Sequence, residues 1–175
     1  MDDRVDGARR VFFGGAAALL ATSPFTRALA ADLQPKGAAP TPTSGSSATF
    51  GPLKRVEAGD LDVAYVELGS TAGKPVLLLH GWPYDIYSYV DVAPILASAG
   101  YRVIVPYLRG YGTTRFLSSD APRNGQQSAL AVDMIALLDA LGIETAIVAG
   151  YDWGARTADL MAELRPEPRK GLVSV

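Results

Sequence analysis

Thr145-Ala146-Ile147-Val148-Ala149, followed at once by Gly150-Tyr151-Asp152-Trp153-Gly154, decides how the rest of the chain is read. The first five residues form an apolar run of strand character, and the stretch from Ala155 to Leu164 reads as a helix. A sharp turn between such a strand and helix is the setting of a nucleophile elbow, which lifts its central side chain above the sheet at the helix N-terminus. Here that side chain is the carboxylate of Asp152. Gly150 and Gly154 leave room where a Cβ would collide with strand or helix, and tight turns of this kind often need unusual backbone angles. The same residues also read as an ordinary strand-to-helix turn with Asp152 as the N-cap.

Upstream, Val76-Leu77-Leu78-Leu79 is a continuous apolar run that opens into His80-Gly81-Trp82-Pro83. Unbroken hydrophobicity marks a parallel strand buried on both faces, and open α/β sheets bind ligands at the carboxyl ends of such strands. After the next strand, Tyr101 to Val105, comes Arg109-Gly110-Tyr111-Gly112.

In this order the three segments resemble the H-G-x-P, R-G-x-G-x-S and G-x-D-W-G motifs of the α/β-hydrolase superfamily. The match is to its aspartate-nucleophile branch, which holds the epoxide hydrolases and haloalkane dehalogenases. The resemblance runs from Leu53 to Val175. It implies an α/β fold with a doubly wound, mostly parallel sheet, cut off before the family's lid and C-terminal strands, so that the chain is expected to be an incomplete fragment. Four positions depart from the pattern. Tyr107 stands where relatives carry an acidic residue, Thr113-Thr114 replaces x-Ser, Tyr151 replaces a common His, and Trp82 replaces the Asn of many dehalogenases. The last favours the epoxide-hydrolase side.

By the same resemblance, Asp152 is the catalytic residue, attacking an electrophilic sp3 carbon to form an alkyl-enzyme ester. A covalent step of this kind divides one difficult reaction into two easier ones. The backbone N–H groups of Trp82 and Trp153 form the oxyanion hole, and both side chains are assigned to substrate binding. His80 and Arg109 are assigned to bracing the loops. Tyr84, Tyr87 and Tyr89 cluster after the H-G-W-P loop, as substrate contacts or as packing and surface aromatics. His80 is the only histidine in the chain, and in the family this position is not the general base, so the base is expected to be missing here. The alternatives are a haloalkane dehalogenase-like hydrolase and a non-catalytic half-fold that binds small molecules.

Composition agrees with a globular domain acting on a small molecule. The 175 residues are 49% hydrophobic, with 16 basic against 18 acidic side chains, a balance that carries no footprint for nucleic acid or an acidic membrane. The absence of cysteine excludes disulfides and thiolate metal sites. No cofactor and no metal are expected, and the oligomeric state is left open.

Residues 1–30 read as a twin-arginine-like export signal: Arg9-Arg10, an apolar and small-residue segment from Val11 to Leu20, and the cleavage-like Ala28-Leu29-Ala30. That core is too short to span a bilayer, so the export machinery is an expected partner and the mature product is expected to be exported to the periplasm. Residues 31–50, rich in Pro, Ser, Thr, Gly and Ala, read as a flexible linker. Residues 51–175 read as the N-terminal portion of the hydrolase domain.

Within that portion a hairpin is expected from Leu53 to Ala58 and Leu61 to Leu68, with a turn at Gly59-Asp60. A helix is expected from Ile86 to Ser98, ended by Gly100. Another is expected from Gln126 to Leu141, burying Leu130, Met134, Leu137, Leu138 and Leu141. A last strand is expected from about Gly171.

Overall fold

The computed structural model describes residues 49–166 and 171–175; the expected export signal and residues 31–48 of the expected linker lie outside the described residues. Packed structure begins before Leu53, because Phe50 sits against the core with its ring 5.6 Å from that of Tyr87.

Among the described residues, seven strands form one sheet. β1 (Lys54–Ala58) and β2 (Leu61–Leu68) make the expected antiparallel hairpin. β2 pairs antiparallel with β4 (Tyr101–Pro106), which then runs parallel to β3 (Lys74–Leu79). β3 runs parallel to β6 (Ile147–Gly150), and β6 to β7 (Gly171–Ser174), giving the order β1-β2-β4-β3-β6-β7. A two-residue strand, β5 (Arg115–Phe116), pairs with the start of β2 and carries no apolar periodicity that would announce it.

The apolar runs explain the layering. Successive side chains on a strand point to opposite faces, and in β3 they feed two cores in turn. Leu77 and Leu79 face a core built with α2 (Gln127–Ala140) and α3 (Trp153–Leu164), whereas Val76 and Leu78 face one built with α1 (Val92–Ser98). In β4, Ile104 joins the first core while Val103 and Val105 join the second. The sheet is therefore covered on both faces, which is why these strands lack polar alternation. On α2, Leu130, Met134, Leu137 and Leu138 are buried and Leu141 packs against the same core, as their spacing predicts.

One element differs from expectation. Instead of a single helix from Ile86 to Ser98, the chain forms a 3-10 turn over Ile86–Tyr89 and then α1. Pro94 explains the break. In a continuous helix its missing N–H and its ring would face the carbonyl of Val90. Restarting at Val92 places the proline in a first turn, where an N–H has no partner in any case.

Candidate active site

Three segments meet at the carboxyl ends of the parallel strands: the loop after β3 brings His80 to Pro83, the loop after β4 brings Arg109 to Gly112, and the turn after β6 brings Tyr151 to Gly154. Trp82, Arg109, Tyr111, Gly125, Leu130 and Trp153 line a cleft of about 390 Å3 between them.

The turn after β6 is strained. Asp152 has φ 52 and ψ −117, and it is the one non-glycine residue with positive φ among the described residues. Such angles cost an ordinary residue free energy and persist only where the surroundings hold them. Here the surroundings are close-packed backbone. A Cβ on Gly154 would run into the Leu79 carbonyl, and one on Gly150 into the backbone of Gly154. These two glycines let the helix start directly over the strands.

Asp152 occupies the N-cap position of α3, yet its side chain makes no capping hydrogen bond. The carboxylate turns across to the loop after β3, where the Trp82 N–H donates to Oδ2 at 2.9 Å. It is solvent-exposed. Its pKa is held below the usual carboxylate range, first by the Trp82 N–H, then by that of Trp153, with the Arg156 charge adding to both. The partial positive charge at the start of α3 acts in the same sense. Of the two backbone donors assigned from the sequence, the Trp82 N–H hydrogen-bonds this carboxylate, and the Trp153 N–H adds to the lowering of its pKa. Both indole rings remain exposed at the mouth of the cleft.

His80 is fully buried. Its Nε2 accepts from the Leu108 N–H at 3.2 Å, which requires the neutral ring with the proton on Nδ1, facing the Gly81 carbonyl at 3.3 Å. Burial pushes its pKa down, consistent with the neutral form. The ring also packs edge-on against Tyr111, with centroids 4.6 Å apart. His80 therefore ties the loop after β3 to the loop after β4.

Arg109 reaches α2. Its Nε and Nη2 donate to the two oxygens of Asp133 at 2.5 and 2.6 Å, and Nη1 donates to the Asn124 carbonyl at 2.7 Å. Both side chains of the ion pair are more than nine-tenths buried. Burial pushes the Asp133 carboxyl up and the guanidinium pulls against it; a bidentate contact to both oxygens fixes Asp133 as the ionised acceptor. Sequence reading missed Asp133, which is one acidic residue on a helix with no local sign of a partner 24 positions away.

The departures from the family pattern find local explanations. The Thr114 hydroxyl donates to the Tyr107 carbonyl at 2.9 Å and accepts from the Ala64 N–H at 3.0 Å, so the hydroxyl ties the loop to β2. Tyr107 is buried, and its ring fills the space where a Cβ on Gly112 would stand. Of the tyrosines after the H-G-W-P loop, Tyr84 and Tyr87 are exposed, whereas Tyr89 donates to the Leu79 carbonyl at 2.8 Å.

Residues 74–175 match the family model of the alpha/beta hydrolase fold. The chain belongs to that family. It is 42% identical over 103 residues to epoxide hydrolase 3 of Siraitia grosvenorii, covering 59% of this chain and 32% of that enzyme. It is 40% identical over 104 residues to epoxide hydrolase B of Mycobacterium tuberculosis, covering 59% and 28%. A crystal structure from Klebsiella pneumoniae, provisionally named an epoxide hydrolase, superposes with a TM-score of 0.71 at 60% identity, over 74% of this chain and 43% of that one. This hydrolase-fold chain thus spans between about a quarter and a half of the length of the relatives it matches. No group of acidic, histidine or cysteine side chains among the described residues is placed to hold a metal ion. No helix among them is long and apolar enough to cross a membrane.

Proposed function

We propose that this chain carries the nucleophile of an epoxide-hydrolase-like enzyme, with Asp152 attacking a carbon of a small, uncharged epoxide. One observation carries the reading: an exposed, ionised carboxylate has Oδ2 on the N–H of the cleft-lining Trp82 at 2.9 Å. That contact leaves Oδ1 as the attacking oxygen. The Oδ1–carbon bond forms as the epoxide carbon–oxygen bond breaks, and the released alkoxide takes a proton from water, leaving hydroxide to be neutralised by the proton lost in the hydrolytic step. When water, giving up a proton to a base, then adds to Cγ, the new negative charge falls on Oδ2, which already accepts from the Trp82 N–H. Breaking the Cγ–Oδ1 bond releases a diol and restores the carboxylate. Aromatic and aliphatic side chains line the cleft, and the Arg109 charge is consumed by Asp133, which favours a neutral substrate.

His80 cannot serve as base for the water. It is buried, and its Nε2 is occupied by the Leu108 N–H. The chain has no other histidine, so we propose that an imidazole base comes from residues beyond these 175. The expected outcome is one-sided chemistry. Incubation with styrene oxide should add one epoxide mass, mapped to Asp152 by peptide analysis and lost only slowly, while Asp152→Asn should add none. An adduct that persists in the Asn variant, or none in the wild type, overturns the assignment. An alkyl halide that labels Asp152 where styrene oxide does not would favour the dehalogenase-like alternative. A chain that binds but is never labelled would favour the binding half-fold.

We also propose export by the twin-arginine route, supported by Arg9-Arg10 and the short apolar segment after them. Replacing both with lysine should retain the protein in the cytoplasm; unchanged export overturns the proposal.

A further inference from the structure

We propose that Tyr151 and Ser88 act as a positioning pair, clamping the loop that carries Trp82 onto the elbow so that the Trp82 N–H stays on the Asp152 carboxylate. Its catalytic meaning rests on the Asp152 reading above, while the clamp itself does not. The Ser88 hydroxyl lies 2.7 Å from the Tyr151 Oη and donates to the Asp85 carbonyl at 2.8 Å. A serine hydroxyl has one proton to give. With that proton on Asp85, Tyr151 is the donor to Ser88. A directed chain therefore runs from Tyr151, the residue immediately before the nucleophile, through Ser88 to Asp85, the cap of the 3-10 turn.

The other end of the loop is fixed as well. Tyr89 donates to the Leu79 carbonyl at 2.8 Å, and the Tyr151 N–H points to the same oxygen at 3.4 Å. Trp82 thus lies between two attachments, one at the end of β3 and one at the 3-10 turn, and both involve Tyr151. Packing adds a third constraint. A Cβ on Gly81 would stand 2.8 Å from Tyr151 Cε2 and 2.7 Å from Asp152 Cβ, so the loop rests directly on the tyrosine ring and on the nucleophile. A hydrogen bond weakens steeply once its distance or angle is lost, and the Trp82 contact joins residues 70 positions apart. The clamp supplies the alignment that the chain's connectivity does not.

The test compares the full chain with Tyr151→Phe, Ser88→Ala and the double variant. The first readout is the Asp152 carboxyl titration by NMR, followed with the Trp82 amide shift. The groups around Asp152, namely Arg156, Tyr111 and residue 151 itself, are the same in Ser88→Ala, so a change there reports the loop. Each variant should raise the Asp152 pKa toward the ordinary value, because the Trp82 N–H is the first cause of its lowering. Each should slow alkylation by styrene oxide ~3- to 10-fold, on the order of one neutral hydrogen bond, and the double variant should match the singles. Ser88→Ala removes one exposed hydroxyl and keeps the fold testable if Tyr151→Phe does not fold. Unchanged titration and amide shift in a folded Ser88→Ala overturn the clamp. A wild type that is never alkylated but shows the variant-dependent titration overturns the hydrolase reading and leaves the clamp standing.

Discussion

Asp152 and Asp133 each have a partner that lines the cleft, but one carboxylate is held in solvent by the Trp82 N–H and the other inside the protein by the Arg109 guanidinium. The difference in partner gives the same side chain two jobs. Backbone donors at Asp152 lower its pKa while leaving the carboxylate exposed and its negative charge unpaired by a side chain in hydrogen-bond contact. At Asp133 both oxygens and the charge are consumed by Arg109, and burial makes the pair indispensable to its own environment. A carboxylate keeps its charge exposed where a backbone dipole stabilises it; where a buried guanidinium takes both oxygens, it becomes part of the scaffold.

The largest expected effect on stability is at Asp133. Asp133→Ala leaves a buried guanidinium without its partner and should cost about 3 kcal/mol, at the lower end for breaking a buried pair because Nη1 keeps its hydrogen bond to the Asn124 carbonyl. Denaturant unfolding measures it. Asp152→Asn should leave the midpoint close to that of the wild type, since the carboxylate is exposed. Equal losses at the two aspartates would break the comparison.

Next in size is the elbow's steric floor. Gly154→Ala forces a methyl group against the Leu79 carbonyl in a packed backbone crossing and should cost about 2 kcal/mol. The pair Asp152 and Trp82 should separate as α3 shifts, seen as a loss of the Trp82 amide response to Asp152 titration. A stable variant with that response intact would mean that the elbow has more slack than its geometry indicates.

The smallest effect distinguishes the groups by pH. His80 is buried neutral with its pKa lowered, whereas in the unfolded chain it takes a proton near its ordinary value of 6.5. The unfolded state therefore binds more protons as pH falls through that value. Stability from keeping His80 neutral is complete above about pH 6.5 and is lost below it, at up to about 1.4 kcal/mol per pH unit. Asp152, also lowered, acts in a different window. Its contribution, small because the carboxylate is exposed, is present above its ordinary value of 3.8 and is lost only as pH falls below that. Comparing pH-dependent unfolding of the wild type with His80→Gln should remove the first slope and leave the second. An unchanged slope between pH 6.5 and 5 would assign it elsewhere.

What the sequence by itself determined is local: the doubly buried strands, seen in Val76 to Leu79 as unbroken apolarity, the α2 stripe, and the glycines on either side of Asp152. Each is written in neighbouring residues, because side-chain alternation, helical period and backbone crowding act over a few positions. Only the tertiary structure decided which groups became partners. Asp133 for Arg109, Ser88 for Tyr151 and the Trp82 N–H for Asp152 lie 24, 63 and 70 positions apart. The split of the helix expected from Ile86 to Ser98 has a local cause in Pro94, which forbids an unbroken helix, while the docking of Tyr89 on the end of β3 was left to the tertiary structure. The physical reason is the range of the forces. A hydrogen bond or ion pair acts over about 3 Å, and only the folded sheet brings segments this distant in sequence to that separation.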